Sequence, residues 1–211
     1  MTDTPRTRRR LGRPPKGEAG PTRERLLDAA LELFAERGFA ATTVRQIARA
    51  VGVTDAAIYA HFANKQALMD ALMAEAGPPM LERLVGELGT LSEQHPADVV
   101  PQTFQRLVEA WGQPRVRLFT SVLLRHNPEG IDEALSVIHA RLTPVVQAWQ
   151  ARGWIRDDVS AELLAWELFA PLATIRLSLL HSSADEANRE RAHERARQHL
   201  AFYVLSNGRR P

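Results

Sequence analysis

The sequence predicts an all-α protein of about nine helices, with an N-terminal three-helix helix-turn-helix domain and a larger C-terminal helical domain. Apolar residues recur at helical spacing along most of the chain after residue 21, which is the first observation behind this prediction. The second is a pair of short capped segments, Thr43–Val51 and Thr54–Tyr59, joined through Gly52. The third is that we find no segment with the alternating pattern of a β-strand.

Composition limits the class of protein. The chain has 211 residues, of which 45% are hydrophobic and 25% charged, as in ordinary globular proteins. No apolar run approaches the roughly 20 residues of a membrane span, and the N-terminus lacks the apolar core of a signal peptide, so we expect a cytoplasmic protein. Because cysteine is absent, disulfides, a thiol nucleophile and Cys-ligated zinc are excluded.

The N-terminal part of the chain is basic. Residues 1–65 carry 12 Lys/Arg and 7 Asp/Glu, whereas residues 66–211 carry 15 and 18. This asymmetry predicts that the N-terminal part of the chain, and not the C-terminal part, faces a polyanion. Residues 1–20 are expected to form a disordered basic arm, which is either a solvated tail or a DNA contact. The run from Arg8 to Pro14 resembles an AT-hook with Leu11 in place of an arginine, so Arg10 and Arg13 are candidate minor-groove contacts.

Four helices are predicted in the N-terminal part, and residues 21–67 are expected to form the DNA-binding domain. The first begins after Thr22 and ends near Gly38. The second begins at Thr43, where Gln46 completes a capping box. Thr54 caps the third, whose position after the turn is that of a helix entering the major groove. The fourth begins at Asn64–Lys65, and Gly77-Pro78-Pro79 bends or breaks it.

Residues 68–211 are expected to form a second domain of further helices. The predicted signals are an apolar face from Phe104 to Trp111, helix starts at Pro114 and Asn127-Pro128-Glu129, an end near Gly153, and a cap at Ser160.

The last two helices are the predicted dimer interface. The segment from Leu163 to Leu180 is apolar almost all round, more than one subunit's core requires. The final helix spans residues 185–206, and its Ala192 and Ala196 allow close approach of another helix. One helix-turn-helix reads few base pairs, and two-fold symmetry allows a palindrome to be read. We therefore predict a homodimer.

Residues 22–73 resemble the DNA-binding domain of the TetR family of bacterial transcriptional repressors. The resemblance rests on the capped Thr43–Ala48 segment, on Gly-Val-Thr, on Ile-Tyr-Ala-His-Phe, and on Asn-Lys before a helix. It covers about a quarter of the chain. It implies a dimeric regulator of transcription that binds double-stranded DNA at a palindromic operator and is released by a small-molecule effector. No cofactor or metal is expected.

The resemblance also implies roles for individual residues. Thr43 would offer its hydroxyl to a phosphate, and Arg45 would lie near the backbone or a base. Tyr59, His61 and Lys65 would reach phosphates, the last with help from the dipole of its helix. The residues that would open the recognition helix and face the major groove are Thr54, Asp55, Ala56 and Ala57. Asp55 either accepts from cytosine or serves the helix N-terminus, because its charge repels phosphate.

The resemblance also implies an apolar effector pocket, so residues 68–211 are expected to be the ligand-binding and dimerisation domain. Candidate walls, each of which has plain core packing as its alternative, are Phe104, Trp111, Phe119, Trp149, Trp166 and Phe169. Arg176 lies within an apolar run, and a buried arginine needs a partner. That partner is a protein carboxylate, the other subunit or an acidic effector, and we favour the first two. Ligand binding is expected to move the fourth helix and change the separation of the recognition helices.

Two alternatives remain open at this point. A regulator of the same fold can act as an activator or can require a co-repressor, because the sequence does not give the sign of the effect. A helical enzyme is the alternative from another class. Seven histidines are present, but they have no metal-binding spacing, and we find neither a Gly-rich phosphate loop nor a nucleophile elbow. We therefore expect no enzymatic activity.

Overall fold

The computed structural model describes residues 19–76, 86, 89–126 and 128–209, and within them the chain is helical. The predicted all-α architecture is confirmed for this part of the chain. The helices are α1 (Ala19–Arg37), α2 (Val44–Val51), α3 (Asp55–Tyr59), α4 (Lys65–Ala76), α5 (Pro96–Trp111), α6 (Pro114–His126), α7 (Pro128–Ala151), α8 (Ala161–Leu179) and α9 (Glu186–Asn207), with a 3₁₀ turn at Leu91–Glu93. One isolated bridge joins Ile155 to Gly208.

Local signals set most helix ends. The side chain of Ser160 accepts a hydrogen bond from the backbone N–H of Leu163 and caps α8, as predicted. Gly38 and Gly153 follow α1 and α7 with φ of 83° and 70°, the left-handed conformation that ends helices. The start of α1 differs from the prediction, because the helix already includes Ala19. Pro21 is tolerated there, since a proline in the first turn removes no intrahelical hydrogen bond.

The buried apolar residues form two clusters. The N-terminal cluster combines the inner faces of α1, α2, α3 and α4 with two residues of α6, Phe119 and Val122. Leu68, Met69 and Leu72 of α4 belong to it. The boundary predicted between residues 67 and 68 therefore falls inside α4, on a face that packs with the N-terminal helices.

The C-terminal cluster lies between α5, α7, α8 and α9. Trp149 of α7 is fully buried in it. The indole N–H of Trp149 donates to the carbonyls of Leu91 at 3.0 Å and Gln94 at 3.1 Å, which fixes the turn before α5. No helix among the described residues is long and apolar enough to cross a bilayer.

The outer sides of α8 and α9 expose large apolar residues. Trp166 is 48% exposed and Phe202 67% exposed, with Leu163 and Leu205 also open to solvent. One expectation about this surface is wrong. Ala192 and Ala196 are fully buried within the subunit, in the C-terminal cluster, because α9 turns its small residues toward its own core.

Candidate nucleic-acid interface

The start of α2 is fixed by a reciprocal cap. Thr43 Oγ1 accepts from the Gln46 N–H at 3.2 Å, and Gln46 Oε1 accepts from the Thr43 N–H at 2.8 Å. This confirms the predicted capping box. Gly52 then ends α2 with φ of 77°, in the left-handed region that favours glycine. The two features set the angle at which the chain enters α3.

α3 presents a short exposed face. Thr54 Oγ1 accepts from the Ala57 N–H at 3.2 Å and caps the helix, as predicted. Ile58 is fully buried and pins α3 to the N-terminal cluster. Tyr59 is 57% exposed, and Thr54 and Ala56 are exposed as well. A capped helix held by one buried residue and open on its outer side has the geometry needed to enter a groove.

Asp55 has a partner within the protein. Its carboxylate lies 3.8 Å from Nε of Arg45, and both side chains are more than half exposed. Exposed pairs of this kind contribute up to about 1 kcal/mol. The pair connects α2 to α3 and offsets the negative charge at the tip of the recognition helix. The predicted DNA contacts of Arg45 and Asp55 stay predictions.

Lys65 holds the loop between α1 and α2. Its Nζ donates to the carbonyls of Phe39 at 2.7 Å and Thr42 at 2.8 Å, with a longer approach to Ala40 at 3.5 Å. The ammonium also lies 4.3 Å from the centroid of the Phe39 ring. Lys65 therefore positions the segment that leads to Thr43. Its predicted phosphate contact stays a prediction.

Thr42 and His126 are positioning residues that the sequence reasoning missed. Thr42 is fully buried, and its hydroxyl lies 2.9 Å from the Gly38 carbonyl oxygen, to which it donates. The Phe39 N–H donates to Nε2 of His126 at 3.0 Å, across 87 residues of sequence. Burial lowers the pKa of His126, and nearby Arg125 and Lys65 lower it further, so the neutral, hydrogen-bond-accepting form is favoured. No local sequence pattern identifies the His126 contact.

The remaining predicted DNA residues divide into two groups. His61 is half-buried beside the end of α3, and Ala57 is also half-buried. Arg10 and Arg13 lie outside the described residues, as does the predicted hinge Gly77-Pro78-Pro79. The Arg45–Asp55 pair brings the first turn of α2 and the start of α3 together.

The six predicted pocket aromatics do not form one wall. Phe119 packs in the N-terminal cluster and not in the C-terminal one. Trp166 faces outward, whereas the other four lie in the C-terminal cluster. Trp149 is tied to backbone carbonyls, as described above. Phe104 and Trp111 each pack edge-on against Phe169, with ring centroids 6.4 and 6.1 Å apart.

Comparisons with known proteins agree with this geometry. Residues 26–72 match the family described as "Bacterial regulatory proteins, tetR family". The chain is 33% identical over 132 residues to the HTH-type transcriptional regulator SrpR of Pseudomonas putida, covering 63% of this chain and 57% of SrpR. It is 31% identical over 162 residues to the "Probable acrEF/envCD operon repressor" of Escherichia coli K12, covering 71% of each.

A solved structure shares the fold. SmeT, the repressor of the Stenotrophomonas maltophilia multidrug efflux pump SmeDEF, superimposes with a TM-score of 0.68 at 21% identity, covering 89% of this chain and 90% of SmeT. At that identity, the similarity concerns the fold alone.

Proposed function

We propose that this chain, which belongs to the TetR family of bacterial transcriptional regulators, is a repressor. It binds a palindromic operator as a homodimer and leaves the operator when a small molecule binds. The observation that carries the proposal is the doubly capped α2–α3 unit with an exposed recognition face. The proposal includes no catalytic activity, because similar proteins are named as transcriptional regulators. It places the protein in the cytoplasm, where its operator lies.

Selection of bound genomic fragments tests the proposal directly. Purified protein is mixed with sheared genomic DNA, and the retained fragments are sequenced. We expect a short inverted repeat whose half-site centres are about 34–36 Å apart along the duplex or a multiple of that spacing. Compounds handled by the neighbouring genes are then tested for release of the operator. Recovery of fragments without a shared motif would contradict the proposal.

Substitutions on α3 should separate positioning from specificity. Tyr59→Phe is expected to weaken binding to all sequences by about tenfold, since it removes one hydrogen bond to a phosphate. Ala57→Ser is expected to change which sequence is preferred, because its side chain can reach a base edge. Affinity selection from a randomised operator measures both effects. An unchanged preference in Ala57→Ser, or a change of preference in Tyr59→Phe, would reverse these assignments.

The dimer is expected to form through the exposed apolar sides of α8 and α9. Trp166→Glu and Phe202→Glu should each weaken dimerisation by about 1,000-fold. Each substitution occurs twice in a two-fold interface, and each copy is expected to cost about 2 kcal/mol of the free energy of dimerisation. Sedimentation equilibrium at micromolar concentration measures the dissociation constant. Leu124→Glu, at a partly exposed leucine on α6, is the control that should remain dimeric. A monomeric wild-type protein would refute the dimer.

Coupling between effector and operator has two structural supports. α4 begins at Lys65, beside the α1–α2 loop. α6 lies between the two clusters and contacts α1 through the Arg115–Asp28 ion pair. We propose that effector binding shifts α6 together with α4 and so changes the separation of the recognition helices. Such coupling is reciprocal, so operator DNA should weaken effector binding by the same factor.

A further inference from the structure

Arg176 is a buried cation in the middle of α8. Its guanidinium is deeply buried, and burial lowers the pKa of Arg176 to about 10, so the group keeps its charge at neutral pH. The residue as a whole retains partial exposure. A solute can therefore approach a charge that bulk water hardly solvates. Placing a cation in such a position is costly unless a partner offsets the loss of hydration.

No protein carboxylate provides that partner among the described residues. Arg176 Nε donates to Thr120 Oγ1 at 3.3 Å, and the guanidinium carbon lies 5.2 Å from the centroid of the Trp111 ring. No ion pair joins Arg176 to an Asp or Glu in the described ranges. The expectation of a carboxylate from the same subunit is therefore wrong for this part of the chain.

Donors outnumber acceptors around Arg176. The indole N–H of Trp111 is buried without an acceptor within the described part of the chain. The Thr120 hydroxyl donates to the Val116 carbonyl at 2.9 Å and only accepts from Arg176. A carboxylate accepts several hydrogen bonds and donates none, which fits this set.

Apolar surface lies next to the same donors. Phe169 packs edge-on against Trp111 and also lines a small, open cleft between α7 and α8. The other residues of the cleft are Leu135, His139, Ala165, Trp166 and Ala170. A ligand that contacts both the Arg176 guanidinium and the Phe169 ring therefore needs an apolar body behind its anionic group.

We propose that Arg176 and Trp111 bind the carboxylate of an amphipathic organic acid. The inference rests on the proposed function, since it gives the chemical class of the small-molecule effector. The guanidinium supplies the charge and the terminal N–H donors, the Trp111 indole supplies a further donor, and Thr120 fixes the guanidinium through Nε. Phe169 contacts the apolar body of the acid.

The stability of Arg176→Met tests the site without any ligand. Methionine fills similar volume and removes the uncompensated charge, so the melting temperature of the free protein should stay unchanged or rise by about 2–4 °C. A structural arginine would behave in the opposite way. A fall of several degrees would overturn the proposal, because it would mean that Arg176 has a stabilising partner. Sedimentation equilibrium of the variant tests whether the other subunit supplies a partner for Arg176. Weakened dimerisation would mean that it does, and this result would also overturn the proposal.

Binding of matched acid and amide pairs tests the ligand class. Benzoate, 2-naphthoate and octanoate are titrated into the full-length protein by calorimetry, each beside its primary amide. We expect at least one acid to bind at least about tenfold more tightly than its amide. In Arg176→Met this preference should shrink to about twofold or less. Arg152→Met is the matched control, because Arg152 also lies 5.2 Å from a tryptophan ring but on the exposed surface.

The outcomes separate this inference from the proposed function. If no acid binds, if amides bind as well as acids, or if the preference persists in Arg176→Met, the anion site is rejected. Operator binding, and its release by a neutral or cationic compound, would then still support the regulator. If acids bind in an Arg176-dependent way but no operator is found, the anion site stands and the repressor proposal fails.

Discussion

Lys65→Met is expected to weaken operator binding by about 100-fold or more while leaving the helical content unchanged. The substitution removes two short hydrogen bonds from a cation to the carbonyls of Phe39 and Thr42, together with the contact to the Phe39 ring. The loop before Thr43 loses its anchor, so the α2–α3 unit is no longer held in one orientation. A loss of about 1.4 kcal/mol at each half-site gives a 100-fold effect in the dimer.

The same variant should be less stable by about 2 kcal/mol, since hydrogen bonds from charged groups contribute about 1.5–3 kcal/mol each and the side chain is only half-buried. Thermal unfolding should show a melting temperature lower by about 4–8 °C. Arg37→Met, at an exposed arginine in the last turn of α1, removes a nearby charge and should change stability little. Wild-type stability and affinity in Lys65→Met would show that the loop does not depend on this anchor.

Salt dependence separates the two possible roles of Lys65. If Lys65 also neutralises a phosphate, its loss lowers the slope of log affinity against log salt by about one per subunit. If it only positions the loop, affinity falls by a similar factor at every salt concentration and the slope is unchanged. Electrophoretic or fluorescence titrations between low and physiological salt distinguish the two results.

Phe119→Ala is expected to have the largest effect on stability. Phe119 is 5% exposed and belongs to the N-terminal cluster, although α6 follows α5 in the C-terminal domain. Removing a buried phenyl group costs about 3–5 kcal/mol, through lost apolar burial and the cavity left behind. The melting temperature should fall by about 6–20 °C. Calorimetry is the appropriate measurement. The substitution weakens the attachment of α6, which both clusters share, so we expect the single unfolding transition to divide into two.

Leu124→Ala provides the control on the same helix. Leu124 is partly exposed, so its truncation removes little buried surface and should cost less than 1 kcal/mol. Phe119→Leu, which keeps most of the volume, should retain a single transition. A single transition in Phe119→Ala would mean that α6 does not connect the two clusters energetically.

The expected effects of Phe119→Ala also bear on regulation. α6 contacts the N-terminal domain through Phe119 and Val122, through the Arg115–Asp28 pair and through His126 at the α1–α2 loop. Thr120 of the same helix accepts from Arg176. A ligand that displaces Arg176 therefore also acts on α6, and the other contacts of α6 reach the loop held by Lys65. This arrangement gives the proposed effector a short physical route to the recognition helix.

The sequence alone determined the fold class, the helix-turn-helix and most helix ends. These features depend on interactions within about four residues, such as the exchange between Thr43 and Gln46 or the cap that Ser160 gives to α8. The spacing of apolar residues also identified the buried face of α2, where Ile47, Ala48 and Val51 are buried. Local chemistry of this kind is readable because the partners lie within one helical turn.

Only the tertiary structure decided which element covers each buried face and which groups the charged side chains meet. Helical spacing predicted that Phe119 is buried, but not that it packs against α1 and its neighbours rather than in the C-terminal core. Lys65 meets carbonyls 23 and 26 residues away, and Arg176 meets a hydroxyl 56 residues away. The physical reason is that apolar burial is non-directional, so a periodic pattern specifies that a face is covered without specifying by what.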